Sequence, residues 1–284
     1  MRIFTILVLA LLRRVCSFVR SSPSRTFQPE YSHGEPETTV VLLYNKPKNI
    51  VTTHDTTNDP LNRTNVYDDV QSMKGYRGSV VGARASFEQC TGIRSRLHAV
   101  GRLDTDTSGL LLLTNDGGLV HHVTNKNAHS VDGKPIKKTY EALIMGYHEV
   151  GTSELLNQMT SKGVDIGPKY GGMTDPVEGI TILSHPTSKT TLVSLTIVEG
   201  RNRQIRRMFH ALGSGVMKLR RTRIGDHLSL EGIEEEGCWR ILSDDEVVES
   251  LRWEPRFVSS LESYEGRTRR TTKKPKSRRR TRRS

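Results

Sequence analysis

Cysteine is scarce in this chain: Cys16, Cys90 and Cys238 lie far apart and are odd in number. That pattern excludes a disulfide framework and any metal site built from CxxC pairs. His121 and His122 are adjacent rather than spaced on one helix face, and no acids stand near them in a ligand pattern, so no metal is expected. No internal repeat is visible. The apolar run IFTILVLALL, residues 3–12, is too short to cross a hydrocarbon core of about 30 Å, so no membrane association is expected of the mature form. Acid is missing from both ends. Residues 1–28 carry five arginines, residues 267–284 carry eleven Lys plus Arg, and neither stretch holds an Asp or Glu.

What is present is positive charge, unevenly placed. The net charge of +12 and pI near 9.8 point to a polyanionic partner such as nucleic acid. The two ends account for more than all of it and leave the middle at −4, so an RNA-binding surface on the fold must come from local clustering. Such a cluster exists: residues 200–225 hold eight basic residues and no acid. Like charges without i,i+4 partners are unfavourable unless a polyanion answers them.

Residues 1–37 read as a targeting leader. A short apolar core flanked by arginines precedes small residues at Val15 and Ser17, then an acid-free stretch rich in Ser and Arg that begins at Phe18. This resembles the bipartite leader of proteins sent to complex plastids, and a mitochondrial presequence, a plain secretory signal or a mispredicted start is the alternative. Residues 257–284 read as a disordered basic tail, whose run GRTRRTTKKPKSRRRTRRS has nothing apolar to bury and is able to hold phosphate without sequence preference.

The folded domain is expected over residues 38–256. The β-branched run TTVVLLYNKP predicts a first strand ending at Pro47, and residues 110–113, 140–145 and 192–198 read as further strands. Short helical patterns between them give an α+β class. Residues 55–98 are polar with weak periodicity and predict a long loop with some strand content.

The chemistry concentrates in HAVGRLDTDTSGLLLLTNDGGLVHHV. Asp104 stands between an approach strand and a tight TDTSG turn from which the apolar run 110–113 departs, so its carboxylate sits on rigid backbone. A helix is expected through residues 119–123 after the Asp-Gly-Gly turn at Asp116. An isolated Asp in such a place commonly only caps a turn.

Here the surrounding residues say more. GRLDTDTSGLLLLTNDG resembles the catalytic signature of the RsuA family of pseudouridine synthases, and LYNKPKNIVTT (43–53), KKTYEALI (137–144) and EGRNRQIRRMFHALG (199–213) resemble further motifs of that family in the same order. The likeness covers roughly residues 40–251. Many members carry a small RNA-binding domain ahead of the catalytic one, and only about forty residues precede the first core strand, so that domain is expected to be absent.

The resemblance implies a mixed, largely antiparallel central sheet flanked by helices and loops, isomerisation of uridine to pseudouridine in ribosomal RNA, and no cofactor. A single carboxylate suffices as nucleophile or base, where hydrolytic glycosidases need a separated pair. It assigns Asp104 that role, whether by attack on the sugar, attack on the ring or proton abstraction. Asp106 falls where the family pattern varies. Arg102 matches the residue that fills the gap left by the flipped base. Tyr140 matches the tyrosine stacked on the uracil, and Arg206 the arginine paired with the catalytic aspartate.

In RQIRRMFHALG, Ile205, Met208, Phe209 and Leu212 recur at helical spacing, with Arg203, Arg207 and His210 opposite. Arg201, Arg203, Arg207 and Arg221, with Lys46, are the expected RNA contacts, and the chain is expected to be a monomer. A non-catalytic RNA-binding or ribosome-assembly protein on the same fold is the competing reading, and a basic organellar structural protein explains only the tails.

Overall fold

The computed structural model describes residues 38–53, 59, 61–71, 96–125 and 134–256. The leader, the basic tail and much of the stretch 55–98 lie outside them. The described residues form an α+β arrangement around one mixed sheet, as expected.

Strand β1 (Val41–Lys46) begins the sheet and ends at Pro47, whose missing N–H cannot continue a ladder. It pairs antiparallel with β3 (Thr107–Thr114), and every residue of both strands is buried. An unalternating apolar run such as LLLL is what a strand covered on both faces requires. Leu42, Tyr44, Leu111 and Leu113 enter one hydrophobic cluster, while Val41, Leu43, Leu110 and Leu112 enter a second on the opposite face. Each such leucine contributes roughly 1.5–3 kcal/mol of burial.

The second cluster is closed by two helices. The first, α2 (Gly117–Thr124), is capped by Asp116, which accepts from the Gly118 and Leu119 amides. The other, α5 (Asp244–Leu251), starts in a capping box between Ser243 and Glu246. Buried Asp116 also accepts from the Thr39 hydroxyl at 2.9 Å, Trp253 Nε1 at 3.2 Å and Arg256 at 2.5 Å. One cap thereby ties the start of β1 to the segment after α5.

Strands β4 (Lys138–Met145), β5 (Gly179–Thr187) and β6 (Thr190–Ile197) form the other side, with β6 antiparallel to both β5 and β4. In β4 and β6 inward residues alternate with more exposed ones, the period-2 signature of a strand buried on one face. Strand β7 (Val216–Ile224) joins the halves, antiparallel to β4 and parallel to β3, and with β9 (Trp239–Ile241) at the far edge the order is β5-β6-β4-β7-β3-β1-β9. The short strands are β2 (His98–Ala99) on β3, β8 (Leu228–Ser229) on β7 and β9 (Trp239–Ile241) on β1.

Gly109 makes the β3–β7 junction possible. Its φ is +103°, and a Cβ there would lie 2.2 Å from the Arg221 carbonyl oxygen.

Of three further helices, one follows expectation and one corrects it. Helix α4 (Gln204–Ala211) buries Ile205, Met208 and Phe209, as the helical spacing predicts. Helix α1 (Val66–Gln71) stands where a loop with some strand content is expected. Asn65 starts it by accepting from the Tyr67 and Asp68 amides, and the Tyr44 hydroxyl donates to Asp69. Helix α3 (Glu154–Ser161), capped by Ser153, packs below β5.

Candidate active site

The turn bearing Asp104 is braced from the first motif. Lys46 at the end of β1 is fully buried, and its ammonium donates to the carbonyls of Pro47 at 2.8 Å and Thr107 at 3.0 Å. Asn49 N–H donates to the Thr105 carbonyl, and the Thr52 hydroxyl to the Leu103 carbonyl at 3.0 Å. Within the turn, Thr107 N–H donates to the Asp104 carbonyl. LYNKPKNIVTT is thus the clamp of GRLDTDTSG, a physical reason for the two to occur together. Lys46, expected as an RNA contact, is corrected to an internal brace: β1 is covered on both faces, so its side chain has no route to solvent.

Asp104 itself keeps 29% of its side chain exposed, at the mouth of a cavity of about 380 Å³. That volume lies in the range of small-ligand clefts, about 300–1,000 Å³. Tyr140, Lys138, Arg203, Arg221 and Leu103 share the lining, so the structure brings Asp104 and Tyr140 to one cavity. Asp104 is the one carboxylate in that lining, against five cations, which favours an anionic guest.

The charge partners around the turn differ from expectation. Arg206 pairs with Asp106 rather than Asp104, at 3.3 Å, and its guanidinium also donates to the carbonyls of Asp106 at 3.0 Å and Val216 at 2.9 Å. Arg203, in the left-handed conformation at the N-cap of α4, reaches Asp106 through two hydrogen bonds and Asp104 at 3.9 Å. Burial alone would raise the Asp106 carboxyl. The Arg203 hydrogen bonds and the charges of Arg206 and Arg203 more than offset that and hold it below the ordinary range.

The remaining basic residues divide. Arg102 is exposed and lines the cavity. Arg201 turns back to Glu199 at 2.9 Å and the Gly171 carbonyl at 2.8 Å, because a buried carboxylate needs its cation. Arg207 lies 3.2 Å from the Tyr170 ring centroid and bonds Asn202. Arg221 is 3% exposed and donates to the Leu110 carbonyl at 2.6 Å. Arg221, buried, is therefore corrected from an RNA contact to a group engaged with the protein itself, while Arg201 and Arg207 are partly exposed and hold protein contacts as well.

Lys138 is the lining residue that motif reading missed. It stands two residues before Tyr140, so strand periodicity puts both on one face, and that spacing in KKTYEALI was the available signal. Desolvation, then the charge of Arg221, push its ammonium down to about 8.

A mixed sheet whose two halves meet over such a cavity defines a class, and sequence comparison agrees with it. The chain belongs to the RNA pseudouridylate synthase family, whose model matches residues 40–211. It is 40% identical over 155 residues to the ribosomal large subunit pseudouridine synthase B of Bacillus subtilis, covering 55% of this chain and 57% of that protein. It is 36% identical over 154 residues to the ribosomal small subunit pseudouridine synthase A of Escherichia coli, covering 54% and 58%. The matched part is thus less than three fifths of either relative's length. These relatives support the RsuA-type assignment made from the four motifs. Among solved structures, a pseudouridylate synthase superposes with a TM-score of 0.55 at 29% identity, covering 75% of this chain and 74% of that one.

Proposed function

We propose that this protein isomerises uridine to pseudouridine in ribosomal RNA, with the Asp104 carboxylate as nucleophile or base. The observation that carries the reading is the placement of Asp104, on a turn clamped from three points, at the mouth of a cation-lined cavity that also holds Tyr140. The reaction breaks the N1–C1′ bond, forms C5–C1′, removes the proton from C5 and returns one to N1. Its atoms and electrons balance without a second substrate. What the chain must supply is a carboxylate held still, a face on which the base can turn, and charge to hold the backbone phosphates.

The target base must leave its stack, at a cost of about a few kcal/mol, and Arg102, which lines the cavity, fills the gap. Ribosomal RNA is favoured because the relatives are named for its large and small subunits. The leader reading puts that RNA in an organelle, a plastid before a mitochondrion.

The test is in vitro: the full chain is incubated with large- and small-subunit ribosomal RNA transcripts and pseudouridine is mapped by position. Asp104→Asn keeps the shape and removes the charge, and is expected to lower single-turnover rate by at least roughly 10³-fold with unchanged folding. Equal modification by the variant would remove Asp104 from the chemistry. RNA binding without modification by the wild type would favour the non-catalytic assembly role.

A further inference from the structure

The β4–β7 pairing contains an irregularity with a chemical outcome. Thr139 pairs with Arg223 and Tyr140 with Arg221, so Thr222 is an extra residue on β7. Such a bulge switches which face later residues occupy. Before it, Leu219 and Arg221 are buried; after it, Arg223 is exposed and Ile224 buried. The bulge thus sets Arg221 directly across from Tyr140, on the cavity side of the sheet.

Arg221 is a buried guanidinium with no ion-pair partner among the described residues. Its Nε is spent on the Leu110 carbonyl, and Nη1 donates to the Tyr140 hydroxyl oxygen at 3.4 Å. Its Nη2 is buried without a hydrogen-bond partner. A buried cation left in this state is costly, and hydrophobic replacements of such groups are often stabilising. Packing alone does not account for it.

We propose that Arg221 is a positioning residue that aims the phenol of Tyr140. A guanidinium only donates, so the lone pair facing it is occupied and the phenol's own hydrogen must point elsewhere, into the cavity. There it faces the uracil that stacks on the ring, and steadies the base while the glycosidic bond is exchanged. Arg221 touches no reacting atom; it acts through the Tyr140 hydroxyl. The inference rests on the pseudouridine synthase reading.

The test is a double-mutant cycle on nucleotide binding, using the full chain and uridine 5′-monophosphate, followed by NMR titration. Wild type is expected to bind it at least tenfold tighter than adenosine 5′-monophosphate. Arg221→Gln should weaken uridine monophosphate binding roughly fivefold or more, and by less than twofold when Tyr140→Phe is already present. Arg221→Met, which cannot donate at all, should show the same dependence on the hydroxyl, and denaturant unfolding identifies whichever variant is folded. Equal losses with and without the Tyr140→Phe change overturn the positioning role and leave the function standing. Absence of any uridine preference in the wild type overturns the pocket reading and this inference with it.

Discussion

The two halves of the sheet are built on opposite plans. In the β1–β3–β9 half, β1 and β3 are buried on both faces between two clusters, and the buried side chains of Lys46, Asn45 and Thr114 brace backbone carbonyls. In the β4–β5–β6 half, strands bury one face and leave the other half-exposed. Asp104 enters from the first half, and Tyr140, with Lys138 beside it, from the second. Rigidity is placed behind the Asp104 carboxylate, and access is placed on the cavity side opposite it. Regions that receive ligands are commonly the less stable ones.

A pair of truncations tests that contrast most directly. Leu112 is fully buried at the centre of β3, and Leu112→Ala should cost about 2–5 kcal/mol. Leu143, half-buried on the open face of β4, should cost less than about 1 kcal/mol on truncation to alanine. Urea unfolding of both variants decides it, and similar losses would show the second half to be as tightly packed as the first.

Two lysines carry the contrast into pH dependence. Lys46, in the closed half, and Lys138, at the cavity, are both lowered to about 8, each by desolvation first. Below pH 8 both are charged in the folded and unfolded chains, and they add no slope. From about 8 to 10.5 the unfolded chain keeps protons that the folded one has released, so stability rises with pH. Lys46 alone contributes up to about 3 kcal/mol over that span. Above pH 10 Tyr44 opposes this: burial, then Asp69, raise its phenol, so the folded chain holds a proton that the unfolded chain loses. Lys46→Met should remove about half of the rise between pH 8 and 10, measured by chemical denaturation at each pH. Nucleotide in the cavity should restore charge to Lys138 and leave the Lys46 contribution unmoved.

The readable part of this architecture was local. The apolar run 110–113 announced a strand, the spacing of Ile205, Met208 and Phe209 announced α4, and the motifs led to Asp104 and Tyr140. What stayed hidden depends on where strands meet. Nothing local to YNKP says that Lys46 turns inward onto the Thr107 carbonyl, because that needs β3 beside β1. Arg221 and Arg223 are alternate residues of one basic run, yet an extra residue between them sends one inward and the other to solvent. Arg206 has two aspartates within reach on the same turn, and spacing does not choose between them. Asn65 ahead of VYDDVQ was a cap signal for α1 that the polar composition around it obscured.

The smallest expected effect lies on the boundary between the halves, at the Asp106–Arg203 pair. Both side chains are substantially exposed, so Asp106→Asn should change stability by no more than about 1 kcal/mol. Its consequence should be in RNA binding. Arg203 at the cavity mouth is held by Asp106 in the free protein, and a phosphate must compete for it. Removing the Asp106 charge should tighten RNA binding roughly two- to threefold at low salt, while Arg203→Ala should weaken it and reduce the salt slope by about one. If Arg203 serves only to hold the turn, Arg203→Ala will leave the slope unchanged, and the cation that meets the phosphate must be sought at Arg102.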